Sequence, residues 1–142
     1  MLFAKKKRLI VRLLLVEDEP LVAFDTEYFL SEADFTIVAT VDRVADALPI
    51  IESDEVIDLL LVDVTLADGS GVDVARAAHA RGVPVLFVTG NFPDEASAWA
   101  AGCLSKPYAQ RALLASIAAI EGMIDGKPPK RLPPGLRLFE RL

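Results

Sequence analysis

Four apolar runs of strand length constrain the chain more than any other feature: Leu9–Val16, Phe35–Val41, Val56–Val62 and Val83–Val88. They are rich in β-branched residues and show little of the in–out alternation of a half-exposed strand, so they read as strands buried on both faces, as in a parallel sheet. Parallel neighbours need long crossovers, most often helices, and the intervals between the runs supply them. Pro20 suits the first turn of a helix whose Leu21, Phe24, Tyr28 and Phe29 line one face. A second helix runs from about Arg43 to Ser53, irregular at Pro49. A third covers Gly71–Arg81 and is stopped by Gly82 and Pro84. A short fourth covers about Asp94–Ala101, and Gly102–Ser105 is a weaker fifth strand. The last helix has Leu113, Ile117, Ile120 and Ile124 at helical spacing, with Gly122 and Gly126 as candidate stops. The pattern predicts an α/β fold, a doubly wound five-stranded parallel sheet flanked by five helices.

With 142 residues, 53% of them hydrophobic, the chain is sized for one well-cored domain. No apolar run reaches the roughly 18–20 residues of a membrane span. The opening "MLFAKKKRLIVRLLLV" has the basic-then-apolar order of a signal peptide. Arg12 interrupts it and no small-residue cleavage site follows, so the expectation is a cytoplasmic chain. The single cysteine, Cys103, excludes an intrachain disulfide and a cysteine-based metal cluster. The net charge of −6 divides into +5 over residues 1–12, −15 over 13–125 and +4 over 126–142. An acidic body is soluble on that account alone; the sharper reading is that part of the acidity converges on a metal. Neither basic end has the charge density and aromatic interleaving of a nucleic-acid surface. The expected organisation is a basic extension at 1–8, a body at 9–125 and a Pro-rich basic and apolar tail at 126–142. That tail, "GKPPKRLPPGLRLFERL", could be a disordered end, dock on its own domain or reach a partner; Leu136, Leu138, Phe139 and Leu142 favour docking. Its 17 residues are too few to bury a second core.

In doubly wound sheets ligands bind outside the carboxyl ends of the strands. There the first strand, "LLLVEDEP", delivers Glu17 and Asp18, and the third, "VIDLLLVDV", delivers Asp63. The fourth, "VPVLFVTG", ends in Thr89-Gly90, and the fifth is followed by Lys106-Pro107. Carboxylate pair, carboxylate, hydroxyl and ammonium thus share one rim. Three carboxylates a few ångströms apart cannot all stay ionised without a cation. Hard oxygen donors suit Mg²⁺, often shared with a phosphoryl group. One carboxylate would be the nucleophile toward phosphorus, with Lys106 and Thr89 contacting phosphoryl oxygens. Asp63 is the best candidate, because it ends the most central strand and precedes "VTLADGSG", whose glycines let backbone approach an incoming group.

Over residues 9–124 this set resembles the receiver domain of two-component response regulators, a flavodoxin-like fold. "LLLVEDEP" looks like the family's acidic pair, "LLLVDVTLADGSG" its phosphoacceptor strand and loop, "VLFVTG" its hydroxyl-bearing fourth strand and "LSKPY" its lysine–proline motif. The resemblance implies that Asp63 accepts phosphate from a histidine kinase or a histidine phosphotransferase. It implies that Glu17, Asp18, Asp63 and the backbone carbonyl of Thr65 bind Mg²⁺, that Lys106 pairs with the carboxylate or phosphate, and that Thr89 moves toward the phosphoryl group. It also implies a cis peptide bond before Pro107 that aims Lys106 inward. Many receivers carry a switching Tyr or Phe three residues before the lysine, where this chain has Cys103. The segment Phe87–Phe92 instead looks like the "FATGUY" subgroup of single-domain receivers, and Phe92 would take over part of the coupling.

Each residue has a plainer reading. Glu17, Asp18 and Glu19 could cap the first helix, Asp63 could be a turn residue and Thr89 an ordinary strand residue. Asp68 and Asp73 read as loop and helix-start residues, the lone His79 as solvated or half-buried, and Cys103 as a small apolar residue. Trp99 and Tyr108 could pack or form a partner surface beside Pro107. The leading expectation is a stand-alone phosphoacceptor that switches contacts with a downstream protein or relays phosphate. It would be a self-phosphorylating switch rather than a metabolic enzyme, with no direct DNA or membrane binding, and a homodimer stays open. The alternative is a degenerate receiver that binds partners without phosphate. A haloacid-dehalogenase-type phosphatase wants an aspartate two residues after the nucleophile and meets Thr65. A nucleotide-binding fold wants a glycine-rich loop where the chain has "EDEP".

Overall fold

The computed structural model describes residues 8–139. The expected basic extension, apart from Arg8, and residues 140–142 lie outside the described residues. In chain order the elements are β1 (Arg12–Val16), α1 (Pro20–Glu32), β2 (Thr36–Val41), α2 (Val44–Ile51) and β3 (Leu59–Val62). A two-residue hairpin follows, β4 (Thr65–Leu66) and β5 (Gly69–Ser70), then α3 (Gly71–Ala80) and β6 (Val85–Thr89). A 3₁₀ helix (Asp94–Trp99), β7 (Gly102–Ser105), α4 (Gln110–Ile124) and β8 (Leu136–Leu138) complete the chain.

The main sheet has the order β2-β1-β3-β6-β7-β8. Its first five strands are parallel, while β8 pairs antiparallel with β7. Strand order reverses between β1 and β3, and a crevice forms at such a switch point, beyond the carboxyl ends of the strands.

The runs that form β1, β3 and β6 are buried on both faces, whereas the Phe35–Val41 run, also expected to be buried, forms the edge strand β2, whose residues are half-buried or exposed. Leu13, Leu15, Leu59, Leu61, Leu86, Val88 and Leu104 pack with α1 and α4. Leu14, Val16, Leu60, Val62, Val85, Phe87 and Cys103 pack with α2, α3 and the 3₁₀ helix. Period-two alternation sends consecutive residues to opposite layers.

Three local expectations are corrected. Leu21, Phe24 and Tyr28 do share a face of α1, but it is the outer one, 80%, 68% and 62% exposed. The inner face is built on Ala23 and Leu30, with Phe29 and Ala33 against the core; small residues let the helix approach the sheet closely. The Asp94–Ala101 helix is a 3₁₀ helix of six residues, tightened between Pro93 and β7. The five-stranded sheet gains β8 as a sixth strand, so residues 136–138 dock on the domain that precedes them.

Arg43, the residue before α2, makes no side-chain cap. The cap of the helix comes from the hairpin instead: the Asp68 carboxylate accepts from Val44 N (2.6 Å) and Ala45 N (3.0 Å). These bonds, led by the one from Ala45, hold the Asp68 carboxyl below its ordinary pKa. No helix among the described residues is long and apolar enough to cross a membrane.

Candidate functional site

Each strand end at the crevice is tied to its neighbour by one further backbone hydrogen bond. Glu17 N donates to Val41 O (2.9 Å), Asp63 N to Val16 O (3.1 Å) and Lys106 N to Thr89 O (3.0 Å). The chain thus leaves the sheet while still registered to it, and the side chains just past β1, β3 and β7 converge. The Lys106–Pro107 peptide bond is cis.

Carboxylate oxygens of Glu17, Asp18 and Asp63 lie within 4.8 Å of one another. The Lys106 ammonium donates to Glu17 Oε1 at 2.6 Å and to Asp63 Oδ2 at 2.8 Å. Asp63 is 8% exposed and Thr89 5%. Burial raises the pKa of Glu17, against the lowering effect of the Lys106 hydrogen bond. Burial also works against the Lys106 ammonium, but its hydrogen bonds to Asp63 and Glu17 and their charges outweigh this and push its pKa up. Three carboxyl groups against a single ammonium concentrate hard oxygen donors in one place. That donor set fits a divalent cation such as Mg²⁺.

Gly71 passes close against the end of β3. A Cβ there would lie 1.8 Å from the backbone oxygen of Asp63, and Gly71 N donates to Val64 O at 2.6 Å. The glycine at the end of "VTLADGSG" is therefore demanded by the chain's own backbone, so that α3 can start against Asp63. Ser70 caps that helix by accepting from Val72 N (3.1 Å).

The other sequence-selected residues fall at graded distances from the cluster. Thr65 begins the hairpin, and its N–H points at Asp63 Oδ1 across 3.4 Å. β3 is registered with β6 so that Val62 faces Phe87, which puts Thr89 at the end of the strand beside Asp63. The Thr89 hydroxyl accepts from Asn91 N (3.3 Å). Tyr108, half-buried, lines a small cavity of about 30 Å³ together with Glu17, Asp63 and Val88. Phe92 and Cys103 belong to the apolar layer on the α2 and α3 side of the sheet. Phe92 packs between Phe87 (centroids 5.3 Å apart) and Phe139 (5.5 Å). Cys103 is buried on β7, and burial pushes its thiol pKa up to about 11. His79 is exposed, and Trp99 packs under the Arg76 guanidinium (5.1 Å). Sequence reading misses Arg137, which faces Cys103 in the β7–β8 register. A lone arginine between leucines carries no local signal.

A doubly wound sheet with acids, a hydroxyl and a lysine on the rim of its switch point defines a class of α/β domain with a charged site at that rim. A family model for the response regulator receiver domain matches residues 13–118, and the chain belongs to that family. It is 37% identical over 78 residues to the sensory transduction protein LytT of Enterococcus faecalis, covering 54% of this chain and 32% of that protein. It is 33% identical over 79 residues to the phyllosphere-induced regulator PhyR of Methylorubrum extorquens, covering 54% and 30%. The matches thus span about a third of the length of these curated relatives. Among solved structures it is similar to a CheY-like receiver domain protein from Methanospirillum hungatei, with 28% identity and a TM-score of 0.70 over 77% of this chain and 91% of that one. It is also similar to the signal receiver domain of a modulated diguanylate cyclase from Desulfovibrio desulfuricans, with 27% identity and 0.68 over 77% and 91%.

Proposed function

We propose that the protein is a phosphoacceptor switch in which Asp63 takes a phosphoryl group from a phosphohistidine of a histidine kinase or histidine phosphotransferase. The observation that carries this reading is the Lys106 ammonium, hydrogen-bonded at once to Asp63 and Glu17 within a three-carboxylate cluster. A carboxylate oxygen of Asp63 forms the new bond to phosphorus. The P–N bond breaks, and its electron pair stays on the imidazole nitrogen. Glu17, Asp18, Asp63 and the Thr65 carbonyl would hold Mg²⁺, whose charge offsets that of the phosphoryl oxygens. Lys106 neutralises the same oxygens from the β7 side, and the Thr89 hydroxyl donates to one of them. The buried walls of β1 and β3 limit water at the acceptor and so favour transfer over hydrolysis.

α1, which carries the exposed Leu21, Phe24 and Tyr28, starts at Pro20, two residues after Asp18. Exposed apolar surface of this kind is where a protein partner would dock. Output follows through protein contacts or phosphate relay rather than metabolic turnover. A cytoplasmic location goes with this reading, since phosphohistidine donors are made with ATP.

Acetyl phosphate with Mg²⁺ tests the reading. The wild-type chain takes up acid-labile phosphate and Asp63→Asn takes up none, read by intact mass. Labelling of Asp63→Asn at wild-type stoichiometry would move the nucleophile elsewhere and end the proposal.

A further inference from the structure

The edge of β7 is covered by the chain itself. β8 lies on it antiparallel, with Leu104 facing Leu136, Cys103 facing Arg137 and Gly102 facing Leu138. Ser105 N donates to Gly135 O (3.0 Å) below the strand, and Phe139 N donates to Ala101 O (2.8 Å) above it. The fit depends on a missing side chain, because a Cβ on Gly102 would lie 2.8 Å from Arg137 O and 3.2 Å from Leu138 Cδ2. Alternation sends Leu136 and Leu138 into the layer beneath α4 and Phe139 into the opposite layer.

On that second side β8 meets the loop that leaves the candidate site. Phe139 stacks on Phe92 (5.5 Å, 18° between planes), and Phe92 leans on Phe87. The Arg137 guanidinium lies over both Phe92 (5.9 Å) and Phe139 (5.4 Å) and pairs with Asp94 at 3.6 Å. Only Gly90 and Asn91 separate Phe92 from Thr89, and the Thr89 hydroxyl holds that turn by accepting from Asn91 N.

We infer that residues Leu136–Phe139 are a built-in strand cap on β7 whose grip is set by the state of Asp63, through Thr89, the turn at Gly90–Asn91 and the Phe92–Phe139 stack. The inference rests on the phosphoacceptor reading above. A phosphoryl group brings about two negative charges and three strong acceptor oxygens to Asp63. The Thr89 hydroxyl turns toward them and gives up its bond to Asn91, the turn shifts, and Phe92 leaves its stack. β8 is three residues long, so losing that contact releases it. The uncovered β7 edge then presents unpaired backbone groups, a template for strand addition by a partner.

Amide exchange by NMR, with beryllofluoride and Mg²⁺ as the probe, tests this on the full chain. The amides of Phe139 and Ser105 should exchange at least tenfold faster with the probe, while those in the middle of α4 keep their rates. Phe92→Ala should keep the probe-induced shift at Asp63 and lose the probe-dependent change at Phe139. Gly102→Ala should lose protection at Phe139 and Ser105 without the probe, with β3 amides still protected. Probe-induced shifts at Asp63, Thr89 and Lys106 with unchanged exchange at Phe139 would overturn the cap and leave the phosphoacceptor reading standing. The cap is equally overturned if Gly102→Ala keeps full protection, or if Phe92→Ala keeps the full response. Absence of any shift at Asp63 would overturn both.

Discussion

At Lys106 one ammonium faces the carboxylates of Glu17 and Asp63 at 2.6 and 2.8 Å, with its side chain 20% exposed. Removing one member of a buried ion cluster costs more than the cluster contributes, because the remaining charges stay desolvated. Lys106→Met should therefore lose about 2–3 kcal/mol of unfolding free energy at pH 7, somewhat less than a fully buried pair. The deficit should shrink toward pH 4, since Glu17, whose pKa is raised by burial, takes up its proton ahead of an ordinary glutamate. At the other extreme the Lys106 pKa is raised above its ordinary 10.5. Its contribution is complete below that value and fades as pH climbs through the higher folded value. Urea unfolding of both chains across pH 4–11 checks this. A deficit constant from pH 7 to 4 would contradict the electrostatic account. The types and order of these side chains are legible in the sequence, because each follows directly on an apolar strand. Their distances are not, and neither is the purpose of Gly71: only the folded backbone shows its Cα against the Asp63 carbonyl.

Among the elements, α2 depends on a cap from outside itself. Asp68, at the turn between β4 and β5, accepts from the first two N–H groups of α2, so the hairpin after Asp63 and the helix after β2 are joined by one carboxylate. Since these bonds lower the folded pKa of Asp68 below 3.8, its contribution is present above that value and is lost as pH falls through the folded one. Asp68→Ala should melt earlier than wild type at pH 7, and the two melting curves should converge as pH drops below 3.8, checked by thermal circular dichroism. A gap that widens in acid would refute the cap. Strands β1, β3, β6 and β7 are readable because buried parallel strands leave continuous apolar runs, and β2, a half-buried edge strand, is readable because it is apolar and β-branched. The inner face of α1 misleads because residue size does not track burial there: Ala23 and Ala33 face the sheet and Phe24 faces out. β8 leaves almost no local trace. Leu136-Arg137-Leu138 is too short for a period, and its pairing depends on Gly102, far earlier in the chain.

For the whole molecule, a cation bound only by the native cluster stabilises the fold by mass action, about 2.7 kcal/mol at one hundred times its dissociation constant. Mg²⁺ should accordingly raise the unfolding midpoint saturably, and EDTA should reverse the rise. Asp18→Asn, which removes a carboxylate that makes no hydrogen bond to Lys106, should flatten the response. Scanning calorimetry at several Mg²⁺ concentrations decides it, and equal stabilisation of wild type and Asp18→Asn would exclude the cluster as the binding place. The strand ends supply one further consequence. Glu17, Asp63 and Lys106 are brought together only by β1, β3 and β7 lying in one sheet, each exit pinned to the strand beside it. During synthesis on the ribosome these three groups cannot meet until the lysine has cleared the exit tunnel and the last parallel strand has docked. An immature chain thus lacks the cluster altogether, and whatever binds there can do so only after β7 has joined the sheet.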